Sequence, residues 1–375
     1  MIRVDQITLR EIRLPLREAF RISSGVVSER RIALLELRDA TGAVSWSECV
    51  AGEEPNYSSE TIDTAWLAIE AYVAPRVLGV AFDAPGDVHA ALERDFRGHQ
   101  MAKAAVEMGH WGVAAEQQGV PLARLIGGVR ERIAVGISLG IQTSPQALAD
   151  KASAAVAEGY HKVKIKIEPG RDVAFVRAAR EALPSAELMA DANNAYTLDD
   201  ADLLAELDDL DLMMIEQPLS HDDLVRHAAL QRRLRTPLCL DESITSLERA
   251  QDMVTLGAGR IINIKPGRVG GFAASLAIHD YCEQQGIPVW CGGMLESGVG
   301  RAYNVALASL SNFTLPGDVS PSRRYWAHDI VTPEWEMADD GTIAVPLHRP
   351  GIGVDVDLAR IDALTVRRAV LRSPA

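Results

Sequence analysis

Five short apolar runs, each ending in an ionisable residue, recur along this chain at an almost constant interval. The residues are Lys166, Asp191, Glu216, Asp241 and Lys265, in "KVKIKI", "ELMAD", "LMMIEQP", "PLCLDES" and "IINIKPG". They lie 25, 25, 25 and 24 residues apart (191−166, 216−191, 241−216, 265−241). Amphipathic stretches separate the runs. In "TLDDADLLAELDDL", Thr197 is placed to cap a helix, and Leu203, Leu204, Leu207 and Leu210 make one apolar stripe. Strand alternating with helix over some 220 residues predicts parallel βα units. With "RIAVGI" at 132 as first strand and "NFTLPGDV" as last, eight strands fit, which is an α/β chain of the (β/α)8 TIM-barrel type. An open doubly wound sheet is the competing fold, but no GxGxxG follows the first strand.

The first 50 residues read differently. "MIRVDQITLREIRL" and "RRIALLELRDATGAVSWSEC" form a β-meander turned by "DATG" at 39–42. Residues 58–119 are helical and Ala-rich, and Gly119 with Pro121 ends that run. The expected division is an α+β unit over 1–125, a barrel over 126–347, and a tail over 348–375 that returns to the first unit through "PGIGVDVDLARI".

A net charge of −14 leaves no basic footprint for nucleic acid. "RRLR" at 232–235 reads as a solvated helix face. Four scattered cysteines without a CxxC pair suit reduced thiols. No window approaches 18 apolar residues, and "MIRVDQITLREIRLPL" lacks a signal-peptide core. A soluble cytoplasmic protein with no membrane partner is expected.

A βα repeat returns the chain to the same barrel mouth, so the five ionisable residues converge where barrels keep their chemistry. Asp191, Glu216 and Asp241 come from neighbouring strands, and three unpaired carboxylates in one site repel. A divalent cation resolves this, and an all-oxygen donor set without His or Cys suits Mg²⁺, with Mn²⁺ or Co²⁺ as substitutes. The competing reading pairs each acid with its own Lys or Arg. Lys166 and Lys265 end strands 2 and 6, opposite each other in an eight-stranded ring. That placement suits proton removal from one face of a carbon and delivery to the other. A base near neutral pH needs a lowered lysine pKa. Lys164, counted with the catalytic set, would lower that of Lys166, and Arg268 that of Lys265. Lys162 is expected to face solvent. The chemistry this implies is α-proton abstraction from a carboxylate through a stabilised enolate. A hydrolytic metal barrel would want HxH on strand 1, which reads "AVGIS".

These segments, "KIK", "DANNAY", "IEQP", "LDES" and "KPGRVGG", together with "PLARLIGG" at 121–128, resemble the enolase superfamily, in its muconate-lactonising subgroup. The resemblance covers essentially the whole chain and implies a modified barrel under an N-terminal capping domain. Residue by residue, it implies Asp191, Glu216 and Asp241 as metal ligands and Lys166 and Lys265 as the acid/base pair. A His–Asp pair replaces Lys265 in mandelate-racemase-like members. "KPGR" and "GGMLESGVGR" at 292–301 resemble the N-acylamino acid racemase and o-succinylbenzoate synthase group. Dipeptide epimerases carry Asp-x-Asp late in the barrel, whereas here Asp318 is followed by Val319 and Ser320. The resemblance places Ser138, Gly293, Met294, Tyr325, Phe20 and Tyr57 around substrate. Asn193 is a hydrogen-bonding candidate, with Glu242, Glu296 and Arg268 behind it. The expected activity is racemisation of N-acyl-α-amino acids, with o-succinylbenzoate synthase activity as a companion. Cycloisomerase or dipeptide epimerase activity is the alternative, and a non-catalytic scaffold the remote one. A small carboxylate substrate and a homo-oligomer are implied.

Overall fold

The computed structural model describes residues 1–22 and 25–373. The N-terminal meander forms as three antiparallel strands, β1 (Val4–Ile22), β2 (Gly25–Asp39) and β3 (Val44–Cys49). Alternation in β2 buries Leu35 and Leu37 beneath a long helix, α1 (Gln100–Gln118). The helix can lie this close because Gly109 and Gly112 carry no Cβ. One added there would sit 2.4 Å from Leu37 Cδ1 or 2.1 Å from Ser45 Oγ. Gly119 ends α1 in the left-handed conformation (φ 65°) that glycine adopts without steric cost.

The second unit is a seven-stranded parallel sheet: β4 (Gly136–Leu139), β5 (Lys162–Lys166), β6 (Glu187–Asp191), β7 (Ile215–Glu216), β8 (Leu238–Leu240), β9 (Ile261–Ile264) and β10 (Val289–Cys291). Neighbours in chain order are neighbours in the sheet, so the second unit is an α/β barrel, with the N-terminal unit as its cap. Outward residues such as Val163, Ile165, Leu188 and Ile215 pack beneath the surrounding helices. Each such side chain removed from water contributes about 1.5–3 kcal/mol before the entropy cost. A separate apolar cluster, with Met189, Met214, Cys239, Ile261 and Trp290, fills the barrel interior.

Two expectations for strands need correction. "RIAVGI" is not one strand: Arg132–Ala134 pairs antiparallel with Thr342–Ala344, and the parallel sheet begins at Gly136. "NFTLPGDV" does not form a strand. It closes the ring as coil, with Phe313 bridging Val289, Gly317 bridging Val135, and the Gly136 amide donating to Gly317 O at 2.7 Å. Pro316 lacks the N–H a ladder needs. "RRLR" follows a helix (Leu224–Gln231) rather than lying in one; its arginines are exposed and Leu234 is buried.

The last strand, β11 (Thr365–Arg372), adds antiparallel to β1; residues 374–375 of the expected tail lie outside the described residues. Two buried carboxylates of the first unit cap helices of the second. Glu48 on β3 accepts from the Ser297 amide and hydroxyl and the Gly300 amide, at the start of the helix Gly298–Ala308. Glu107 on α1 accepts from the Phe272 and Ala273 amides at 2.8 and 3.0 Å, at the start of Phe272–Gln285. Helix N-termini favour such charge. Burial still pushes both carboxyls up, Glu48 to about 8 and Glu107 to about 7.

Candidate active site

Parallel pairing puts Lys166 beside Asp191 and Asp191 beside Glu216. Asp241 and Lys265 directly follow β8 and β9. All five side chains therefore arise at one barrel mouth. The strands bearing Asp191, Glu216 and Asp241 stand between those bearing Lys166 and Lys265. Lys166 Nζ lies 2.6 Å from Asp191 Oδ2 and 2.6 Å from Asn193 Oδ1. At the other flank, Lys265 Nζ lies 2.8 Å from Asp241 Oδ2 and 4.5 Å from the centre of the Tyr57 ring. Lys164 sits between, 3.1 Å from both Asp191 Oδ2 and Glu216 Oε2 and 2.7 Å from Asp318 Oδ2.

The charge balance follows from these contacts. Burial opposes charge on Lys164, yet Asp318, Glu216 and Asp191 together hold its pKa well above the ordinary lysine value. Lys265 is likewise raised, burial being outweighed chiefly by Asp241. The Arg268 guanidinium bonds Asp241, the Tyr57 hydroxyl and the Asn263 and Ile244 carbonyls. Asp191 and Asp241 are held low against burial, by Lys166 and Lys164 and by Lys265 and Arg268 respectively. Glu216 goes the other way, pushed up to about 8 by burial and by the Asp191 charge beside it.

In this conformation ammonium groups stand between the carboxylates, and among the described residues no three His, Cys, Asp or Glu side chains form a ready cage for an ion. The donor chemistry nevertheless fits a hard cation. The three acids are buried oxygen donors on adjacent strands, and the crowding of acids that pushes the Glu216 carboxyl up is what a cation would relieve.

Above the acids lies a cavity of about 540 Å³ whose wall includes Lys166, Lys265, Asn193, Gly293, Met294 and Tyr57. Phe20 joins them from β1. Ser138 and Tyr325 are not on that wall. Ser138 is buried, with its carbonyl accepting from Arg324 Nη2 at 3.4 Å, and the Tyr325 ring lies beneath the Arg301 and Arg324 guanidiniums. Glu242 accepts from Asn193 and Asn194 at 3.3 and 3.2 Å, and Glu296 accepts from the Met294 amide at 2.8 Å.

Lys162 is the plain correction. Its side chain is 0% exposed, its Nζ lies 3.6 Å from the centre of the Trp290 ring and 3.2 Å from Asp318 Oδ1. The three lysines therefore form a column inside the barrel. The signal was in the register: Gly136 pairs with Lys162, and a Cβ there would sit 2.6 Å from Lys162 Cε. Gly292 makes the same room for Lys265. Two further residues, Gln217 and Asn263, went unnoticed, and Asp318 was read only for lacking a second acid two residues on. Gln217 Oε1 accepts from the Asp241 and Ser243 amides at 3.0 and 3.2 Å and so holds the turn that aims Asp241. Asn263 donates to Glu216 Oε1 at 2.6 Å, and Asp318 bridges Lys162 and Lys164. "IEQP" carries Gln217 in plain view, but only the fold shows what it touches.

Comparison with known proteins places this geometry. Residues 5–127 match the mandelate racemase / muconate lactonizing enzyme N-terminal domain and residues 147–360 the enolase C-terminal domain-like family. An o-succinylbenzoate synthase of Geobacillus kaustophilus is 46% identical over 97% of this chain and 96% of its own length. An N-succinylamino acid racemase of Thermus thermophilus is also 46% identical, over 97% and 98%. A crystal structure of an enolase superfamily member from Listeria innocua superposes with a TM-score of 0.96 at 40% identity, covering 99% of this chain and 100% of that one. No helix among the described residues is long and apolar enough to cross a membrane. With both halves matched and relatives aligned nearly end to end, the chain belongs to the enolase superfamily, in its mandelate racemase / muconate lactonizing enzyme family, and is an enzyme.

Proposed function

We propose that the protein racemises N-acylated α-amino acids by removing and returning the α-proton, and that the same site catalyses o-succinylbenzoate formation. The observation that carries this is the pair of ammonium groups, Lys166 and Lys265, on the wall of one cavity and anchored on different carboxylates of one mouth. Of two lysines flanking a carbon, the one present as free amine takes the proton from its face, and the other, as ammonium, returns one to the opposite face. Asp191, Glu216 and Asp241 would hold a divalent ion, Mg²⁺ by the hardness of the donors, which when bound supplies positive charge to the substrate carboxylate. Lys166 is directed by Asn193 and Asp191, and Lys265 by Asp241 and the Tyr57 face, so each is oriented before substrate arrives. Lys164, committed to three carboxylates, stays a cation between Asp191 and Glu216.

The relatives named for racemisation and for o-succinylbenzoate synthesis support this reading, because both reactions start with the same proton. Asp318 without a second acid two residues on supports an acylated, neutral substrate nitrogen over the free amine of a dipeptide. The test is deuterium wash-in at Cα of N-acetyl-methionine in D₂O with Mg²⁺. Exchange with both enantiomers is expected, and chelation should stop it. Absence of exchange with either enantiomer would remove the racemase reading.

A further inference from the structure

Two consecutive residues in the turn after β6, Asn193 (φ 42°) and Asn194 (φ 64°), have left-handed backbones. Residues other than glycine seldom adopt this region, and two in a row persist only where surrounding contacts fix them. Backbone amides hold part of the turn, Asn194 donating to Gln217 O at 2.9 Å and Asn193 to Asp191 Oδ1 at 3.1 Å. One atom grips both side chains. Glu242 Oε1 accepts from Asn193 Nδ2 at 3.3 Å and from Asn194 Nδ2 at 3.2 Å. Glu242 is buried, and its other oxygen has no hydrogen-bond partner among the described residues, so the carboxyl is spent on these two amides.

Asn193 turns its other end to Lys166, whose Nζ donates to Oδ1 at 2.6 Å. An ammonium only donates and a carboxylate only accepts, so an amide between them lies one way round. The result is a directed chain, Glu242 to Asn193 to Lys166, along one flank of the mouth. Among the described residues it does not extend to the other flank, where Lys265 rests on Asp241 and the Tyr57 ring. The Glu242 charge, by contrast, stands near enough to Asp241, Lys265 and Asp191 to act on all three. Geometry and charge of this one carboxylate therefore leave different traces.

We infer that Glu242 is a positioning residue for Lys166 alone. By fixing the Asn193–Asn194 turn it aims this lysine, and so governs proton transfer at one face of the substrate carbon and not at the other. The inference rests on the racemase reading for there being two faces to tell apart.

The experiment follows solvent deuterium into each enantiomer of N-acetyl-methionine separately, with Mg²⁺ present. Lys166→Ala and Lys265→Ala first assign the faces. Each stops exchange in the enantiomer whose α-hydrogen faced the lost lysine, while the remaining lysine still exchanges the other. Glu242→Asp keeps the charge but draws the oxygen back by about 1.5 Å, whereas Glu242→Gln keeps an accepting oxygen and loses the charge. Glu242→Asp should slow exchange on the order of 10- to 100-fold in the Lys166 enantiomer and leave the other within about threefold. Glu242→Gln should stay within about fivefold of wild type for both. A Glu242→Asp loss shared equally by both enantiomers, as a disturbed Asp241 would give, overturns the inference. So does a loss confined to the Lys265 enantiomer, or none in either. Glu242→Gln decides whether or not Glu242→Asp folds, because a loss beyond about tenfold in either enantiomer overturns the inference. Failure of the racemase reading shows separately, as wild-type enzyme that exchanges neither α-hydrogen. In that case the spectra of [ε-¹³C]lysine-labelled protein, assigned with the same Ala variants, decide. A Lys166 signal that Glu242→Asp shifts while Lys265 stays in place supports the inference, and one that stays, or moves together with Lys265, overturns it.

Discussion

Lys162 and Lys166 stand on the same face of the same strand, four residues apart, and the molecule uses them in opposite ways. Lys162 is sealed under the Trp290 ring, with Asp318 as its acid and Gly136 making room for its arm. Lys166 opens on the cavity, held by one carboxylate and one amide oxygen. Burial lowers the Lys162 pKa, and the Asp318 charge only partly offsets this. The comparison teaches that the column has a foundation and a working end. At the foundation the lysine answers Asp318 inside the barrel, and at the working end, on the proposed function, it moves a proton.

The strongest way to break this distinction is to truncate each lysine in turn. Lys166→Ala should lower the racemisation rate by about 10³-fold, within the range for a lost acid/base group, while the thermal midpoint stays within a few degrees. Lys162→Ala should do the reverse, costing about 3 kcal/mol from the cavity and the lost partner of Asp318, with turnover changed only a few-fold. Denaturant titration and racemisation assays on the same preparations settle both. Similar kinetic losses from the two variants would end the comparison.

Asp318→Asn sharpens it. Against the upward push of burial, Lys162 and Lys164 hold this carboxyl down at about 2. A depressed carboxyl contributes stability that is present above its ordinary pKa and lost as pH falls through the folded value. Removing it should cost about 2 kcal/mol near neutral pH. The variant's acid-unfolding curve should then be shallower than the wild type's between about pH 4 and pH 2. The smallest effect is expected from Trp290→Phe, about 1 kcal/mol for a weaker ring under the Lys162 ammonium and no change in turnover. An Asp318→Asn protein as stable at pH 7 as the wild type would mean that the foundation is held by packing alone.

The 25-residue beat of apolar runs was enough to read the barrel, because a parallel strand must be apolar and each βα unit returns the chain to the same edge. The same beat named Lys166, Asp191, Glu216, Asp241 and Lys265 together, and the structure brings all five to one mouth. Lys162 was misread because alternation with period two tells which residues share a face and not whether that face meets water or a barrel interior. The last strand was misplaced because its apolar residues match a strand while Pro316 and its coil path do not.

Sequence by itself determined the layered architecture, the family and the chemical types at the mouth, since periodicity and residue identity are local properties. Tertiary structure alone decided what these groups answer to: Arg268 on Asp241, Gln217 on the turn that aims Asp241, and Lys162 on Asp318 inside the barrel. Partners of a buried charge come from strands and loops far apart in the chain, and their energies depend on distance and exclusion of water, which exist only once the chain has closed.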